Sequence, residues 1–364
     1  MTQLMNQHGG DLDAIEQKYH IPKAEIVDFS GNINPLGFPE SVKKALAEHL
    51  DIISTYPDKR YRALRESIAA YTGANPDHVT VGNGSTELIS VFIQSVSPRR
   101  SIILGPAYSE YERELTVCQS QYTYFPLKEE DGFLIDLPAL LAALTDEIDL
   151  FVACNPNNPT GTAITTQQMR QILTHCQAHH ISVMVDETYI EFSDQLDEIC
   201  SIPLVAEFDN LFVIRGVSKF FAAPGLRLGY GITSSQAFHS LLIAHQDPWS
   251  VNSLAAFAGE QLFQDHDFIA KTKHLISSER QKAMDTLATF HNLKAYPSSS
   301  NFILLHLLTK KITAAQIFEA CIQKKFLIRD ASSFHFLDSS YLRFCILSPE
   351  HNAALLALLK DLVE

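Results

Sequence analysis

The sequence predicts a doubly wound α/β domain followed by a smaller α+β domain. Three observations carry this. Five short runs, at residues 79–81, 101–104, 150–153, 181–185 and 211–214, are almost continuously apolar, as strands covered on both faces must be. Helical patterns separate them; in one, Leu88, Ile89, Phe92, Ile93 and Val96 share a face. Past residue 245 the alternation stops. A long helical stretch over 255–287 leads to strand-like runs at 301–305, 326–328 and 342–346, with a helix around 317–324 and a terminal helix over 352–362. The expected division is an N-terminal arm with part of the small domain (1–40), a large α/β domain (41–245), and a linker helix with the C-terminal small domain (246–364).

Composition narrows the function. At 364 residues, 46% hydrophobic and 19% charged, the chain suits an ordinary soluble protein with a large core. A net charge of −14 with no Lys/Arg-rich block argues against nucleic acid or an anionic membrane as the main partner. A small anionic substrate remains compatible, because a local arginine cluster outweighs the global sign. The six cysteines (118, 154, 176, 200, 321 and 345) are scattered without a C-x-x-C pair, which suits a reducing compartment and no structural zinc. No apolar run approaches the ~20 residues of a membrane span, and the first residues lack the charged and apolar regions of a signal peptide. The expected location is the cytoplasm. His175 and His179 stand one helical turn apart with His180 beside them, but no third ligand is evident. They read as solvated residues at a helix end, and no metal is expected.

Four loops at strand ends carry the chemistry. Gly82-Asn83-Gly84-Ser85-Thr86 lies between a strand and a helix, where small residues let backbone N–H groups cradle a phosphate. Asn155-Pro156-Asn157-Asn158-Pro159-Thr160-Gly161 is a rigid turn that holds an Asn amide over the crevice at the carboxyl end of the sheet. Asp186 ends an apolar run and opens Asp186-Glu187-Thr188-Tyr189; a carboxylate there can keep a pyridine nitrogen protonated, or simply cap the next helix. Lys219 follows the strand at 211–214, with Arg227 eight residues further on. An amine at the end of a buried strand loses solvation, and its nucleophilic form becomes accessible. An arginine nearby can hold a phosphate as a bidentate fork. An amine for an aldehyde, beside an arginine for a phosphate, suits pyridoxal 5'-phosphate.

In this order the motifs, a glycine-rich helix start, N-P-x-N-P-T-G, D-E-x-Y and S-K-x(7)-R-x-G, resemble the class I/II aminotransferase superfamily of pyridoxal-phosphate enzymes over nearly the whole chain. The resemblance implies the fold type I transferase architecture, with a mostly parallel seven-stranded sheet. It also implies that Lys219 forms the internal aldimine and that Asp186 pairs with the pyridine nitrogen. Asn158 and Tyr189 would contact the ring's phenolate oxygen. Gly84, Ser85, Thr86 and Arg227 would hold the phosphate, and Tyr108 would stack on the ring. Tyr56 matches the tyrosine that reaches the neighbouring subunit's cofactor, which implies a homodimer. Arg343 matches the arginine that binds the substrate carboxylate. One position departs from the pattern: Gly216 stands where the family has Ser or Thr, so one hydroxyl contact to the phosphate is missing unless Ser218 supplies it.

Within the superfamily the chain is similar to the histidinol-phosphate aminotransferase and threonine-phosphate decarboxylase branches. Arg329, near Arg343, suits a phosphorylated substrate. His8-Gly9-Gly10, the stretch 28–37 that contains Asn32, and Pro248-Trp249-Ser250-Val251-Asn252 resemble the decarboxylase, whose N-terminal segment folds over the substrate. Tyr189 is the more aminotransferase-like choice. Both reactions break the bond held perpendicular to the ring, so placement of the carboxylate decides between them. The first expectation is decarboxylation of L-threonine O-3-phosphate or L-serine O-phosphate, in cobalamin side-chain synthesis. The alternative is transamination of histidinol phosphate with 2-oxoglutarate. A non-catalytic regulator on the same fold would carry a basic helix-turn-helix domain, and residues 1–40 show no such pattern.

Overall fold

A computed structural model describes residues 9–364. The large sheet contains β1 (Val79–Gly82), β2 (Arg100–Gly105), β3 (Gln121–Pro126), β4 (Leu150–Cys154), β5 (Ser182–Asp186), β6 (Leu211–Gly216) and β7 (Gly229–Ile232). Their order across the sheet is β1-β7-β6-β5-β4-β2-β3. All neighbours run parallel except β7, which is antiparallel to both β1 and β6. The runs at β4, β5 and β6 are buried along their whole length, apart from Ser182 at the start of β5. That burial explains their unbroken apolar sequence. The strands β3 and β7 escape the apolar pattern for opposite reasons. β3 is a half-exposed edge rich in tyrosine, and β7 is the glycine-containing run Gly229-Tyr230-Gly231-Ile232.

A second sheet holds β8 (Leu293–Ala295), β9 (Phe302–Leu307), β10 (Arg329–Asp330) and β11 (Tyr341–Cys345) in the order β10-β11-β9-β8, all antiparallel. The expected strand at 326–328 divides here. Phe326–Leu327 pairs in parallel with Val27–Asp28, and the chain then crosses so that Arg329–Asp330 joins β11. The N-terminal segment is thereby stitched to the C-terminal one. The expected helical stretch at 255–287 also divides, into Ser253–Leu262 and His266–Leu287. The reason is local. Asn252 caps the first helix by accepting from the Ala255 N–H at 2.8 Å, and Asp265 caps the second by accepting from Phe268 N–H at 3.0 Å. No helix among the described residues is long and apolar enough to cross a membrane.

Candidate active site

Three parallel neighbours bring the chemistry together. In β4, β5 and β6, Cys154 stands opposite Asp186 and Asp186 opposite Ile214. The loops that follow them, carrying Asn158, Tyr189 and Lys219, therefore leave the sheet side by side at its carboxyl edge. The crowd of asparagines divides its work. Asn155 donates from Nδ2 to Ile164 O and Ile199 O and accepts from Ile164 N–H, while Asn157 donates from Nδ2 to Pro106 O and Thr160 Oγ1. Both are buried staples. Only Asn158 turns its amide to a functional partner, accepting on Oδ1 from Arg343 Nη1.

Asp186 is buried, and its carboxylate is held by three donors. Tyr111 OH donates to Oδ2 at 2.7 Å; Thr188 donates to Oδ1 from its N–H at 2.9 Å and from Oγ1 at 2.5 Å. Loss of water pushes the carboxyl's pKa up, and these donors oppose the rise. Glu187 has a structural role. It takes Nε and Nη2 of Arg215 on Oε2 at 3.0 and 2.8 Å and the Ser201 N–H on Oε1 at 2.6 Å, all buried. Tyr189 OH accepts from Asn32 Nδ2 at 3.4 Å.

Lys219 is half-buried, and its Nζ donates to Gly31 O at 2.7 Å. Withdrawal from water, then the Arg343 cation, lowers its pKa to about 8, with Arg227 adding to the fall and Asp28 opposing it. The carbonyl it meets belongs to a tight turn. Asp28 Oδ1 accepts from Ser30 N–H and Oγ, both at 2.7 Å, and from Gly31 N–H at 3.1 Å. The neighbouring Ser30 O accepts from Arg343 Nη2 at 2.7 Å. The start of the described chain lies against this turn: Gly10 N–H donates to Ser30 Oγ at 2.9 Å, and a Cβ on Gly9 would stand 2.4 Å from Ser30 O. Only glycine fits that approach. His8, expected to touch substrate, lies outside the described residues.

The helix start expected to receive the cofactor's phosphate is built by close approach. Gly84 opens the helix Gly84–Val96 with φ +81°, and a Cβ there would lie 2.2 Å from Arg227 Nη2. A Cβ on Gly229 would meet Ser85 N at 2.4 Å. These two glycines let Arg227 and the helix start, with Ser85 and Thr86, come together. Tyr108 sits close by. Its phenol is pushed up to about 12, first by burial and then by the charges of Glu110 and Asp186, while a hydrogen bond with Thr86 and the charge of Arg227 oppose the rise. At Gly216 an added Cβ would meet Ser85 Cβ and Leu228 O at an ordinary 3.6 Å. The missing hydroxyl is therefore not excluded by space. Gly216→Ser is expected to tighten binding of pyridoxal phosphate by about tenfold, the low end for one added hydrogen bond to a charged group; equilibrium dialysis of the cofactor checks it. Ser218 is half-buried directly before the lysine.

Arg329 and Arg343 stand opposite each other on β10 and β11. Arg343 is buried, lies over the Phe302 ring at 5.1 Å, and leaves its Nε without a partner. Arg329 donates from Nη2 to Ser333 Oγ at 2.8 Å and lies over the Phe334 ring at 5.4 Å. Burial first, then the charge of Arg343, pushes Arg329 down to about 10. Among the described residues neither arginine has a carboxylate within salt-bridge distance. Asp330 and Asp28 act on them only from beyond salt-bridge distance, and two partly dehydrated cations so placed make a site for an anion. Tyr56 is not brought into this group. It is 80% exposed and its ring lies against that of Trp249, centroids 4.7 Å apart and planes tilted by 34°, in a groove with Ile53, Pro57 and Leu254.

The rings of His175 and His179 do lie together, centroids 4.4 Å apart and planes tilted by 35°, but His175 Nε2 meets Leu144 O at 2.7 Å and His179 Nδ1 meets Asp146 at 2.5 Å. Sequence reasoning missed Tyr111, Thr188 and the Asp28 turn. Tyr111 had a readable signal, since it lies one helical turn after Tyr108. The carbonyls of Ser30 and Gly31 had none, because backbone acceptors leave no mark in side-chain identity.

The residues present fit pyridoxal phosphate: a partly dehydrated amine, a buried carboxylate, an aromatic beside it, and an arginine at a helix start packed too closely for any side chain at Gly84. The model of the family "Aminotransferase class I and II" matches residues 24–359. A threonine-phosphate decarboxylase from Salmonella typhimurium is 34% identical over 363 residues, covering 100% of this chain and 98% of that protein. A histidinol-phosphate aminotransferase 2 from Haemophilus influenzae is 31% identical over 348 residues, covering 95% and 92%. The solved histidinol-phosphate aminotransferase from Clostridium acetobutylicum superposes with a TM-score of 0.85 at 29% identity, covering 92% of this chain and 98% of that one. The chain belongs to the class I and II aminotransferase family.

Proposed function

We propose that this protein is a pyridoxal-phosphate enzyme that decarboxylates L-threonine O-3-phosphate, or a close phospho-amino acid such as L-serine O-phosphate, in cobalamin side-chain synthesis. The observation that carries the phosphorylated substrate is the pair Arg329 and Arg343, in register on neighbouring strands and with no salt-bridged carboxylate among the described residues. When bound, pyridoxal phosphate supplies an electron sink for the electrons of the bond that breaks at the substrate's α carbon. This chain's residues do the rest. Lys219 presents an amine that is substantially neutral near pH 8 and so can hold the cofactor's aldehyde carbon and later move a proton. Asp186 is placed to hold the ring nitrogen's proton, and Asn158 and Tyr189 to meet the ring's phenolate oxygen. Arg227, Ser85 and Thr86, with Gly84 making room, receive its phosphate. Arg343 takes the substrate carboxylate and Arg329 the substrate phosphate.

Decarboxylation is favoured by the N-terminal arm. Gly9 and Gly10 lie on the Ser30 turn whose carbonyl accepts from Arg343, and the stretch His8-Gly9-Gly10 resembles the decarboxylase's N-terminal segment. The resemblance of residues 28–37 and the 34% identity to a decarboxylase support the same reading. Transamination of histidinol phosphate is the second reading, favoured by Tyr189 and its hydrogen bond from Asn32. Product analysis separates them. CO2 released from threonine phosphate without any keto acid is the expected result; glutamate formed from histidinol phosphate and 2-oxoglutarate would replace it with the second reading.

The exposed Tyr56–Trp249 ring pair supports a homodimer in which Tyr56 reaches the neighbouring cofactor phosphate. Sedimentation at the mass of one 40.7 kDa chain would remove that assignment.

A further inference from the structure

We propose that Tyr111 is a positioning residue for the cofactor's ring nitrogen: its hydroxyl keeps Asp186 ionised and turned toward the ring, and so keeps the nitrogen protonated. The inference rests on the pyridoxal-phosphate reading above and adds a residue to it.

Asp186 faces an electrostatic problem. It is buried at the end of β5, where loss of water favours the neutral carboxyl, and no cation pairs with it among the described residues. A neutral carboxyl cannot hold a pyridinium proton by charge. The oxygens therefore depend on hydrogen-bond donors, which stabilise the ionised form. Two of the three donors, the N–H and Oγ1 of Thr188, come from the same turn as Asp186 and bind Oδ1. Oδ2 has one protein donor, Tyr111 OH, at 2.7 Å.

The direction of that bond is settled by the donor's chemistry. Burial raises Tyr111 well above the ordinary tyrosine range, so the phenol keeps its proton at any working pH and donates rather than accepts. The placement is equally constrained. Tyr111 is fully buried in the first turn of the helix Ser109–Val117, and its ring meets that of Tyr108 edge-on, with centroids 5.8 Å apart and planes at 85°. One helical turn thus supplies both the aromatic set beside the cofactor site and the hydroxyl behind the carboxylate. Removing that hydroxyl leaves Oδ2 buried with no protein hydrogen-bond donor among the described residues. The carboxyl then gains proton affinity, and the shared proton moves from ring nitrogen to carboxylate.

The test uses the full-length protein loaded with pyridoxal phosphate labelled with 15N in the ring. Wild type is expected to show the 15N chemical shift of a protonated pyridine. Tyr111→Phe, which keeps the ring and its packing, is expected to retain the cofactor while the shift moves toward that of an unprotonated pyridine. Turnover should fall about tenfold, the scale of a lost outer hydrogen-bond partner, with little change in KM. Thr188→Val, lacking the second hydroxyl, should move the shift the same way. Tyr230→Phe, which removes another buried hydroxyl, one that makes no bond to Asp186, should leave it unchanged. An unchanged shift in both Tyr111→Phe and Thr188→Val would overturn the proposal while leaving the cofactor reading intact. Wild type that binds no labelled cofactor would overturn that reading and this one together.

Discussion

Lys219→Ala is expected to lower turnover by about 10⁴-fold or more, the scale lost when a group that serves as nucleophile and proton carrier is removed. The expectation follows from placement. Lys219 leaves the end of a fully buried strand between Arg343 and Arg227, and its amine has a carbonyl, Gly31 O, as its hydrogen-bond partner and no salt-bridged carboxylate. Its pKa of about 8 fixes a pH signature. Because the value is lowered, the neutral amine accumulates above pH 8 and the cation below it. Capture of pyridoxal phosphate by the wild-type apoprotein should therefore rise about tenfold per pH unit below that point and level off above it. Stopped-flow absorbance checks the profile, and the same trace in Lys219→Ala should lack the lysine-dependent phase. A variant that keeps turnover within tenfold of wild type would remove Lys219 from the chemistry.

The second large effect is expected at Arg329. Arg329→Met should reduce kcat/KM for threonine phosphate by about 100-fold, the scale of hydrogen bonds to a charged group, while the value for unphosphorylated L-threonine, expected to be low in both proteins, changes little. Methionine retains an apolar stem against Phe334, so packing is largely preserved. Folding stability should hold or rise, because the substitution relieves the repulsion between two dehydrated guanidiniums. Equal losses on both substrates would refute the phosphate-binding role.

Much of this site was legible because its side chains sit at strand ends. A continuous apolar run predicts a buried strand, and the polar residue that ends it predicts what projects over the crevice. Asp186, Asn158 and Lys219 follow directly, and the register of β4, β5 and β6 aligns the loops that carry them. The glycines were legible as permissive residues, though not for their particular duties; Gly84 and Gly229 prove to be clearances for Arg227 and Ser85. Three things escaped. The edge strand β3 and the glycine-containing β7 break the apolar pattern that identifies the others. The division of the 255–287 stretch depends on caps that look like ordinary surface polar residues. The Asp28 turn acts through its backbone, and only tertiary structure brings it across 188 residues of chain to Lys219.

That turn has a thermodynamic consequence. Ser30 O and Gly31 O are consecutive carbonyls on one short, Asp28-braced segment; one holds the arginine assigned to the substrate, the other the amine assigned to the cofactor. A ligand that draws Arg343 away releases one end of a brace whose other end restrains Lys219. Binding free energies are state functions, so such a link acts with equal strength in both directions. Whatever factor an occupied carboxylate site applies to cofactor affinity, an occupied cofactor site applies to carboxylate affinity. Two adjacent peptide oxygens, one under Arg343 and the other under Lys219, are thereby the route by which loading of one site would bear on loading of the other.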